Sequence, residues 1–570
     1  MTSFRIERVP FTGDSVRSLR LLDTKFTNWP AVYTLGDSRK VYVGESLNVV
    51  ARLRQHLDSA ERRVLSTARV VIDPTFNKSV CLDLESTLIR LLAGDGQFEV
   101  INRNDGITNA DYYDRGKYNT VFHEIFERLR EEGVFTRSIE EIENSDLFKL
   151  SPFKALSPEQ SAIVEDILEG LFDDLANGRP SRIVIQGDPG TGKTVVAIYL
   201  MKLLSDIQKS IGGEAPEGDS LLGDFFVQGY PELLTDFRMG LVVPQQSLRK
   251  SVKMVFRKTP GLDPNQVLSP FEVVSTGHQF HLLVVDEAHR LNQRAAQAAG
   301  PLNSRFRSNN IKLFGRDDVR YTQFDWINAV SRHQLYMVDG GQAVRPADVS
   351  PQVLEALLGQ ARRDQRFYRL QSQMRVRGGQ DYVAYARAVL NGTARGPERF
   401  EGYDLRFFDN LSLMRKAIEA RELEHGLARL LAGYAWHWAS KKDKTVIDFV
   451  IDGEHLRWNS TAVGWVSSPS SAKEVGSIHT IQGYDLNYAG VIIGPDLRFD
   501  TNAGRIVLDR TNYRDPRGMT NNNFHGITYS DEDILVFVRN IYSVLLTRGM
   551  LGTYVYVCDP ALRAHLQRFF

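Results

Sequence analysis

The sequence predicts an α/β protein in which a small α/β domain precedes two domains built on parallel sheets. The chain has 570 residues with 42% hydrophobic content, enough core for about four domains of roughly 150 residues each. After residue 180, short β-rich runs alternate with longer helical segments, as parallel strands joined by helices do. A glycine-rich loop of the phosphate-binding type joins one such run to a helix. Together these observations predict the fold class.

Composition limits the classes of function. Lys+Arg and Asp+Glu both total 70, so the formal net charge is zero, and contact with nucleic acid depends on local basic patches. The two cysteines, Cys81 and Cys558, are too few for a cysteine-rich disulfide or zinc framework and fit a reducing compartment. Charged residues interrupt the N-terminus, and no apolar stretch of about 18 residues occurs. We therefore expect a soluble, cytoplasmic enzyme.

The elements divide the chain into four predicted segments. Residues 1–110 form the small domain, and residues 111–150 a helical and acidic connector that contains the run Glu140–Glu143. Residues 151–349 form the first parallel-sheet domain and residues 350–570 the second, with an insertion of unknown role at about 396–470. The predicted strands are Ala31–Leu35, Lys40–Gly44, Val70–Ile72, Arg182–Gln186, Leu241–Pro244, Leu282–Asp286 and Leu335–Asp339.

The strongest motif is a complete GxxxxGK[ST] loop between the β-run Ile183–Ile185 and the helical run Val195–Leu200. Its residues are Gly187, Asp188, Pro189, Gly190, Thr191, Gly192, Lys193 and Thr194. The glycines let backbone N–H groups surround the phosphates, Lys193 reaches the terminal phosphates, and the Thr194 hydroxyl binds Mg²⁺. The loop predicts ATP and Mg²⁺ as cofactors.

Two acids follow the buried run Leu282–Val285, at the carboxyl end of a strand where ligands of α/β proteins bind. Asp286 is expected to hold the Mg²⁺ and Glu287 to polarise the attacking water. An NKxD motif is absent, which disfavours a GTPase, and an LSGGQ signature is absent, which disfavours a transporter ATPase.

With these motifs, residues 151–570 resemble the superfamily 1 helicases, and more closely the bacterial DNA/RNA helicase domain related to the Schlafen proteins. The resemblance implies two RecA-like P-loop domains. It also implies roles for further residues: Gln160 as adenine reader, Gln342 in Asp339–Gln342 as γ-phosphate sensor, Arg375 and Arg548 as the arginines that neutralise the transferring phosphoryl group, and Gly483 in the motif Ile478–Asp485 that links nucleotide state to nucleic-acid grip. Asp485 stands where the family usually has Glu.

Two tyrosines mark the small domain. The runs Ala31–Leu35 and Lys40–Gly44 predict a hairpin centred between Asp37 and Ser38, which places Tyr33 and Tyr42 directly opposite each other with Cβ atoms about 5 Å apart. An ordinary cross-strand aromatic pair is the alternative interpretation.

Three further polar residues accompany these tyrosines. On a predicted helix Leu47–Leu57, Arg52 and His56 share one face and are suited to neutralise a phosphate and move a proton, or form a solvated basic face. On a predicted helix Leu82–Leu92, Glu85 shares a stripe with Leu82, Ile89 and Leu92. An acid on an apolar face is costly unless it is paired, so Glu85 either binds a divalent metal or pairs with Arg52.

Residues 28–105 resemble the GIY-YIG nuclease domain, with Asn102 matching its terminal asparagine. Ala31-Val32 replaces the usual Gly-Ile, and only eight residues separate the two triplets. The resemblance implies one-metal phosphodiester hydrolysis with Mg²⁺ or Mn²⁺ on Glu85. It implies Tyr33 as general base or water positioner and Arg52 as the group that stabilises phosphorane charge. Proton transfer falls to Tyr42 or His56, and the choice stays open.

We therefore expect an ATP-dependent nucleic-acid helicase or translocase fused to a GIY-YIG endonuclease, acting on DNA, with a role in antiphage defence. The alternatives are an NTP-gated nucleic-acid-binding switch that controls the nuclease without processive unwinding, a DNA-repair enzyme and an RNA-cleaving enzyme. Protein partners and oligomeric state stay open. Three basic clusters are candidate phosphate contacts: Arg52, Arg54, Arg62, Arg63 and Arg69; Arg249, Lys250, Lys253, Arg257 and Lys258; and Arg362, Arg363, Arg366 and Arg369.

Overall fold

The computed structural model describes residues 4–570 apart from 103–111, 155, 211–221, 228, 297–299, 340–344, 374–375, 442, 462–463, 467 and 482–483. The chain divides into two compact units. The first comprises Met1–Phe172, Val195–Asp236 and Ser251–Gln266, and the second Asp173–Thr194, Phe237–Lys250 and Val267–Phe570. The domain boundaries predicted at residues 110, 150 and 349 do not recur in this division and stay predictions.

The first unit contains a mixed sheet of five strands. These are β1 (Arg5–Pro10), β2 (Ala31–Gly36), β3 (Lys40–Ser46), β4 (Thr67–Ile72) and β5 (Glu99–Val100). Their order in the sheet is β1-β4-β2-β3-β5, antiparallel except for the parallel pair β3 and β5. Every residue of β2 is buried, because apolar clusters cover both faces of the sheet.

The second unit contains two larger sheets, and both are parallel throughout, as predicted. The first has the order β11-β6-β10-β9-β7-β8 and the second the order β12-β20-β17-β13-β16. Two further pairs, β14 with β15 and β18 with β19, form small antiparallel sheets. The strands of the second unit are β6 (Arg182–Gly187), β7 (Met239–Val242), β8 (Val267–Leu268), β9 (Phe280–Val285), β10 (Ser331–Val338), β11 (Phe367–Leu370), β12 (Asp404–Phe408), β13 (Ala428–Ala432), β14 (Phe449–Ile451), β15 (Glu454–Leu456), β16 (Val475–Ser477), β17 (Leu486–Ile493), β18 (Leu497–Asp500), β19 (Arg505–Leu508) and β20 (Gly549–Val557).

The helices connect and cover these sheets. They are α1 (Gly13–Leu22), α2 (Lys25–Asn28), α3 (Val49–Asp58), α4 (Lys78–Asp95), α5 (Arg115–Glu131), α6 (Ile139–Glu143), α7 (Asp146–Lys149), α8 (Pro158–Ala176), α9 (Lys193–Lys209), α10 (Tyr230–Leu233), α11 (Gln246–Lys258), α12 (Glu272–Ser275), α13 (Gly300–Phe314), α14 (Gln323–Val330), α15 (Pro351–Arg363), α16 (Gly379–Asn391), α17 (Leu411–His425), α18 (Ile478–Ile481), α19 (Asp531–Leu546) and α20 (Pro560–Leu566). None of those within the described residues is both long and apolar enough to cross a membrane.

The predicted register of the first hairpin is wrong. Tyr33 pairs with Gly44 and Tyr42 with Leu35, so the two tyrosines are diagonal neighbours on one face of the sheet. The turn explains the difference. The Asp37 side chain accepts hydrogen bonds from the backbone N–H groups of Arg39 at 2.6 Å and Lys40 at 2.7 Å, which centres the hairpin one residue further along the chain than predicted.

Part of the predicted insertion belongs to the second parallel sheet. β12 and β13 lie inside residues 396–470 and pair with β20 and with β16 and β17, respectively. Helix α17 joins β12 to β13 and contributes Leu411, Met414 and Ile418 to the adjacent core. The sequence carries no catalytic motif here because these elements supply sheet and core instead.

The predicted apolar stripe on α4 is also wrong at one position. Leu82 is exposed, whereas Ile89 and Leu92 are buried. The buried face runs instead through Cys81, Leu84, Leu88, Leu91 and Leu92, and Glu85 lies at its border, partly buried.

Each compact unit holds one cysteine. Cys81 lies in the core of the first unit and Cys558 is partly buried against a core of the second. Both are free thiols, and burial raises the pKa of each.

Candidate functional sites

The glycine-rich loop lies at the carboxyl end of β6 and leads into α9. Gly190 and Gly192 adopt φ values of 89° and 81°, a region that L side chains rarely enter, so the loop depends on glycine at these positions. The Lys193 ammonium donates hydrogen bonds to the carbonyl oxygens of Gly187 at 2.6 Å and Asp188 at 3.0 Å. Two carbonyl oxygens of the loop therefore bind the loop's own lysine.

The predicted Mg²⁺ ligands of this loop are in contact. Thr194 Oγ1 donates a hydrogen bond to Asp286 Oδ2 at 2.8 Å. Asp286 directly follows β9, is fully buried, and burial together with the Glu287 carboxylate raises its pKa. A hydroxyl beside a carboxylate supplies the oxygen ligands that Mg²⁺ prefers, so the residues fit this ion.

Glu287 is held in a special conformation next to Asp286. Its φ of 48° lies in the left-handed region, which is uncommon for residues other than glycine. His289 Nδ1 accepts a hydrogen bond from the Asp339 backbone N–H at 3.2 Å, and His289 Nε2 lies 3.0 Å from Glu287 Oε2. Burial opposes ionisation of Glu287, but the His289 imidazole holds its pKa below the ordinary value.

Two side chains that the sequence analysis missed reach this loop from beyond β11. Arg387 Nη1, on α16, donates to Asp188 Oδ1 at 2.7 Å, and Gln373 Nε2 donates to the Pro189 carbonyl oxygen at 2.8 Å. Gln373 lies in the same sequence run as Arg375 but was not singled out, and Arg387 belongs to no spacing pattern that marks a nucleotide site, so the tertiary structure identifies both contacts.

Of the other predicted motor residues, the structure describes Gln160 and Arg548. Gln160 is buried, and its Oε1 accepts from the Ser157 N–H at 3.0 Å at the start of α8. Arg548 is buried and donates to the Tyr484 carbonyl oxygen at 3.3 Å. Gln342, Arg375 and Gly483 lie outside the described residues.

In the first unit, Tyr33 and His56 form a buried hydrogen bond between Tyr33 Oη and His56 Nε2 at 2.7 Å. Arg62 Nη1 donates to the other ring nitrogen, His56 Nδ1, at 2.9 Å. Burial and the charges of Arg62 and Arg52 lower the pKa of His56 to about 3. The imidazole is therefore neutral at physiological pH.

Tyr42 completes this aromatic group. Its ring centroid lies 6.3 Å from that of Tyr33 and 5.1 Å from that of His56, and the Arg62 guanidinium lies over its ring at 4.3 Å. Burial raises the pKa of both phenols. For Tyr33 the neighbouring Tyr42 adds to this rise, while a hydrogen bond from Arg52 opposes it. The structure thus brings together Tyr33, Tyr42, Arg52 and His56.

Glu85 lies close enough to these groups that its charge contributes to the raised pKa values of both tyrosines. Burial, followed by the Glu45 carboxylate, raises the pKa of Glu85 itself to about 8. Glu45 forms an ion pair with Lys78 at the start of α4. Arg62, Glu45 and Lys78 were missed as members of this site because they come from three separate elements.

The Glu85 carboxyl fits a divalent metal. Burial and the Glu45 charge disfavour its ionised form, and a cation would offset that cost. Within the described ranges, no group of three or more His, Cys, Asp or Glu side chains is arranged to hold a metal ion, so a cation on Glu85 would not be held by a larger cluster of these side chains.

Two further residues shape the tyrosine site. Asn102 is buried, and its side-chain amide makes two hydrogen bonds to the backbone of Val43, accepting at 3.0 Å and donating at 2.8 Å. Gly44 faces Tyr33 so closely that a Cβ added there would lie 2.4 Å from Tyr33 Oη. The Asn102 side chain therefore stabilises the backbone of β3, and the lack of a side chain at Gly44 leaves room for the Tyr33 ring.

The basic clusters divide into internal and exposed members. Arg69 pairs with Glu132 at 3.1 Å, Arg366 with Asp174 at 3.3 Å, and Arg249 donates to the Val243 carbonyl oxygen at 2.7 Å. The exposed members are Arg54, Arg63, Lys250, Arg257, Lys258, Arg362, Arg363 and Arg369.

Comparison with known proteins gives one family and one related protein sequence. Residues 180–559 match the family described as Schlafen group 3, DNA/RNA helicase domain. The uncharacterized protein YPL245W of Saccharomyces cerevisiae is 27% identical over 440 residues, which span 72% of this chain and 90% of that protein.

Two solved structures are also similar to this chain. The arterivirus nonstructural protein 10 helicase, solved with DNA, has 12% identity and a TM-score of 0.25, with 70% of this chain and 67% of that chain covered. The Pif1 helicase of Candida albicans has 10% identity and a TM-score of 0.28, with 72% and 96% covered, respectively.

Proposed function

Because the chain belongs to the Schlafen group 3 DNA/RNA helicase domain family, we propose that it is an ATP-driven nucleic-acid helicase or translocase. We further propose that its N-terminal region is a metal-dependent endonuclease of the GIY-YIG type. The observation that carries the motor is the contact of Thr194 with Asp286 at 2.8 Å, which joins the phosphate-binding loop after β6 to the acid that follows β9, with β10 between these two strands.

In the motor site, each residue has a chemical task. Lys193 leaves the carbonyl oxygens of its own loop and binds the terminal phosphates, while Thr194 and Asp286 hold Mg²⁺. Bound Mg²⁺ neutralises charge on the phosphates. Glu287, ionised beside His289, orients the attacking water.

The resemblance supplies further proposed roles in the motor. Gln160 reads the adenine, Gln342 senses the γ-phosphate, and Gly483 belongs to the motif that links nucleotide state to nucleic-acid grip. Arg375 and Arg548 neutralise the transferring phosphoryl group.

In the nuclease site, Glu85 would hold Mg²⁺ or Mn²⁺, which draws charge from the scissile phosphate. Arg52 stabilises charge on the phosphorane. Burial holds the proton on Tyr33, which favours water positioning over general-base action for this phenol. The low pKa of His56 leaves it without a proton to give as an acid at neutral pH, so Tyr42 is the better proton donor of the two.

We propose DNA as the substrate, with the exposed basic residues contacting its phosphates, and RNA as the alternative. We propose antiphage defence as the biological role, with DNA repair as the alternative. This proposal rests by analogy on the domain combination, a motor joined to a nuclease. A plaque assay in a phage-sensitive host with wild type and Glu85→Ala tests it, and equal protection by both excludes nuclease-dependent defence.

The second candidate function is an NTP-gated switch that clamps nucleic acid without processive unwinding. The contacts of Gln373 and Arg387 with the phosphate-binding loop favour it, because a nucleotide that binds the loop would rearrange them. Measurements of ATP hydrolysis and strand displacement separate the two. Stimulated hydrolysis without displacement is expected of the switch or of a translocase that does not unwind.

The deciding experiment incubates supercoiled plasmid, linear DNA and RNA with Mg²⁺, with and without ATP. Wild type is compared with Glu85→Ala and Lys193→Ala. We expect cleavage to be lost in Glu85→Ala and ATP hydrolysis to be lost in Lys193→Ala. Equal cutting by wild type and Glu85→Ala would refute the nuclease, and unchanged hydrolysis by Lys193→Ala would refute the motor.

A further inference from the structure

Arg387 makes an unusual contact with the phosphate-binding loop. It lies in the middle of α16, in the region that follows β11, yet its Nη1 is 2.7 Å from Asp188 Oδ1. Both side chains are about one-third exposed. An ion pair this exposed contributes little to the free energy of unfolding. Stabilisation of the fold therefore does not explain why Arg387 and Asp188 are in contact.

Asp339 connects Arg387 to the loop lysine. One of its carboxylate oxygens lies 3.7 Å from Lys193 Nζ and the other 3.9 Å from Arg387 Nη2. The Asp339 side chain is almost fully buried. A single carboxylate therefore stands between the lysine that binds the terminal phosphates and an arginine on the opposite side.

Each of the two cations in this group faces a carboxylate. Lys193 and Arg387 carry two positive charges, and Asp188 and Asp339 carry two negative charges. A nucleoside triphosphate brings further negative charge to the same place, so its phosphate oxygens compete with both carboxylates for the two cations.

We propose that Arg387 contacts the terminal phosphate of a bound nucleoside triphosphate and so distinguishes a triphosphate from a diphosphate. Its guanidinium contacts Asp188 Oδ1, and we expect it to exchange this carboxylate for the phosphate when the triphosphate binds. This inference rests on the proposed motor function. Arginine suits the task because its planar fork matches phosphate oxygens in two hydrogen bonds.

A diphosphate lacks the group that Arg387 would bind. Lys193 reaches the β- and γ-phosphates, so one of its contacts is with a phosphate that both nucleotides have, whereas Arg387 lies beyond Asp339 as seen from Lys193. Loss of Arg387 therefore weakens binding of the triphosphate selectively, whereas loss of a purely structural ion pair would affect both nucleotides alike.

The test measures the affinity of the full chain for ATPγS and for ADP, each with Mg²⁺, by titration calorimetry. For Arg387→Ala we expect ATPγS binding to weaken about tenfold or more, the size of one charge-assisted hydrogen bond, and ADP binding to change less than about threefold. Arg395→Ala, at an exposed arginine just beyond α16, is the matched control and leaves both affinities unchanged. Equal changes for the two nucleotides, or none, overturn the proposal.

A double-mutant cycle with Asp188→Asn tests the transfer itself. Removing the Asp188 charge frees Arg387, so ATPγS binding strengthens in the wild-type background, and this gain shrinks when Arg387 is alanine. An undiminished gain contradicts the transfer. Arg387→Gln repeats the measurement if Arg387→Ala does not fold, and its expected selectivity is the same.

The controls separate this inference from the function on which it rests. If wild type and Lys193→Ala bind ATPγS equally, or neither binds it, the motor proposal fails and takes the role of Arg387 with it. If wild type binds ATPγS, Lys193→Ala does not, and Arg387→Ala matches wild type for both nucleotides, only the role of Arg387 fails.

Discussion

The Arg62 guanidinium donates a hydrogen bond to His56 Nδ1 at 2.9 Å and thereby fixes the tautomer of the imidazole. A guanidinium can only donate, so Nδ1 carries no hydrogen and the hydrogen of the neutral ring is on Nε2. That nitrogen lies 2.7 Å from Tyr33 Oη, so His56 donates to the phenol oxygen. Arg62, which no motif marks, therefore sets the direction of hydrogen bonding at the tyrosine site.

Replacing Arg62 with alanine is expected to raise the pKa of His56 from about 3, because a nearby positive charge is removed. The pKa stays below its ordinary value of 6.5, since burial is the largest cause of the shift. NMR titration of the imidazole measures this change. Arg63→Ala, at the exposed neighbouring arginine, is the control, and an equal His56 pKa in both variants would contradict the assignment.

Glu85 is expected to make the stability of the metal-free protein depend on pH. Its pKa is about 8 in the folded chain against an ordinary 4.5, so the folded state binds the proton more tightly than the unfolded state. The contribution of Glu85 protonation to the free energy of unfolding is fully present below about pH 4.5 and is lost as pH rises through about 8. Thermal melts across this range detect the loss, and Glu85→Gln flattens it.

The same carboxyl predicts how a divalent cation acts on stability. Binding of Mg²⁺ or Mn²⁺ to Glu85 requires release of its proton, so the rise in melting temperature from the cation should be larger near pH 8 than near pH 6. Glu61→Gln, at an exposed acid, should behave as wild type. A rise independent of pH, or retained in Glu85→Gln, would count against Glu85 as the ligand.

Gly44→Ala is expected to destabilise the first unit and displace Tyr33. The added Cβ would lie 2.4 Å from Tyr33 Oη and 2.5 Å from Cζ, on a ring that has no exposed surface. Overpacking of this kind costs about 1–3 kcal/mol. Gly36→Ala in the same hairpin meets its nearest atom at 3.3 Å and is the control. Urea unfolding compares the two, and equal stabilities would refute the steric argument.

His289→Ala is expected to impair the motor site. It removes the acceptor of the Asp339 N–H, which is buried, at a cost of about 1–3 kcal/mol in unfolding free energy. It also removes the group that holds the pKa of Glu287 low, so the acid limb of ATP hydrolysis moves to higher pH. His278→Ala, at an exposed histidine, is the control. Superimposable pH profiles for His289→Ala and His278→Ala would exclude this role.

Much of the fold could be predicted because its signals are local. Alternating strands and helices indicated the parallel sheets, and the spacing from Gly187 to Thr194 indicated the phosphate-binding loop. The hairpin shows the limit of such signals. Hydrogen bonds to the Asp37 side chain move the centre of the turn by one residue, which pairs Tyr33 with Gly44 instead of Tyr42. The tyrosines kept a common face because this shift changes each pair by two residues.

The residues that the sequence did not indicate act through distant contacts. Arg387 and Asp188 are 199 positions apart, and Glu45 meets Lys78 from another element. An isolated arginine or glutamate has no periodicity or motif that predicts its partner. β12 and β13 were assigned to an insertion for the related reason that strands which only complete a sheet carry no chemical signature.

Alkylation of the two free thiols can report on the local opening of each compact unit separately. Cys81 belongs to the first unit and Cys558 to the second, and burial keeps both in the unreactive protonated form. An alkylating reagent modifies each thiol only as fast as its surroundings open. Peptide mapping of a time course can therefore follow the local opening of both units in the unmodified chain, without an introduced label.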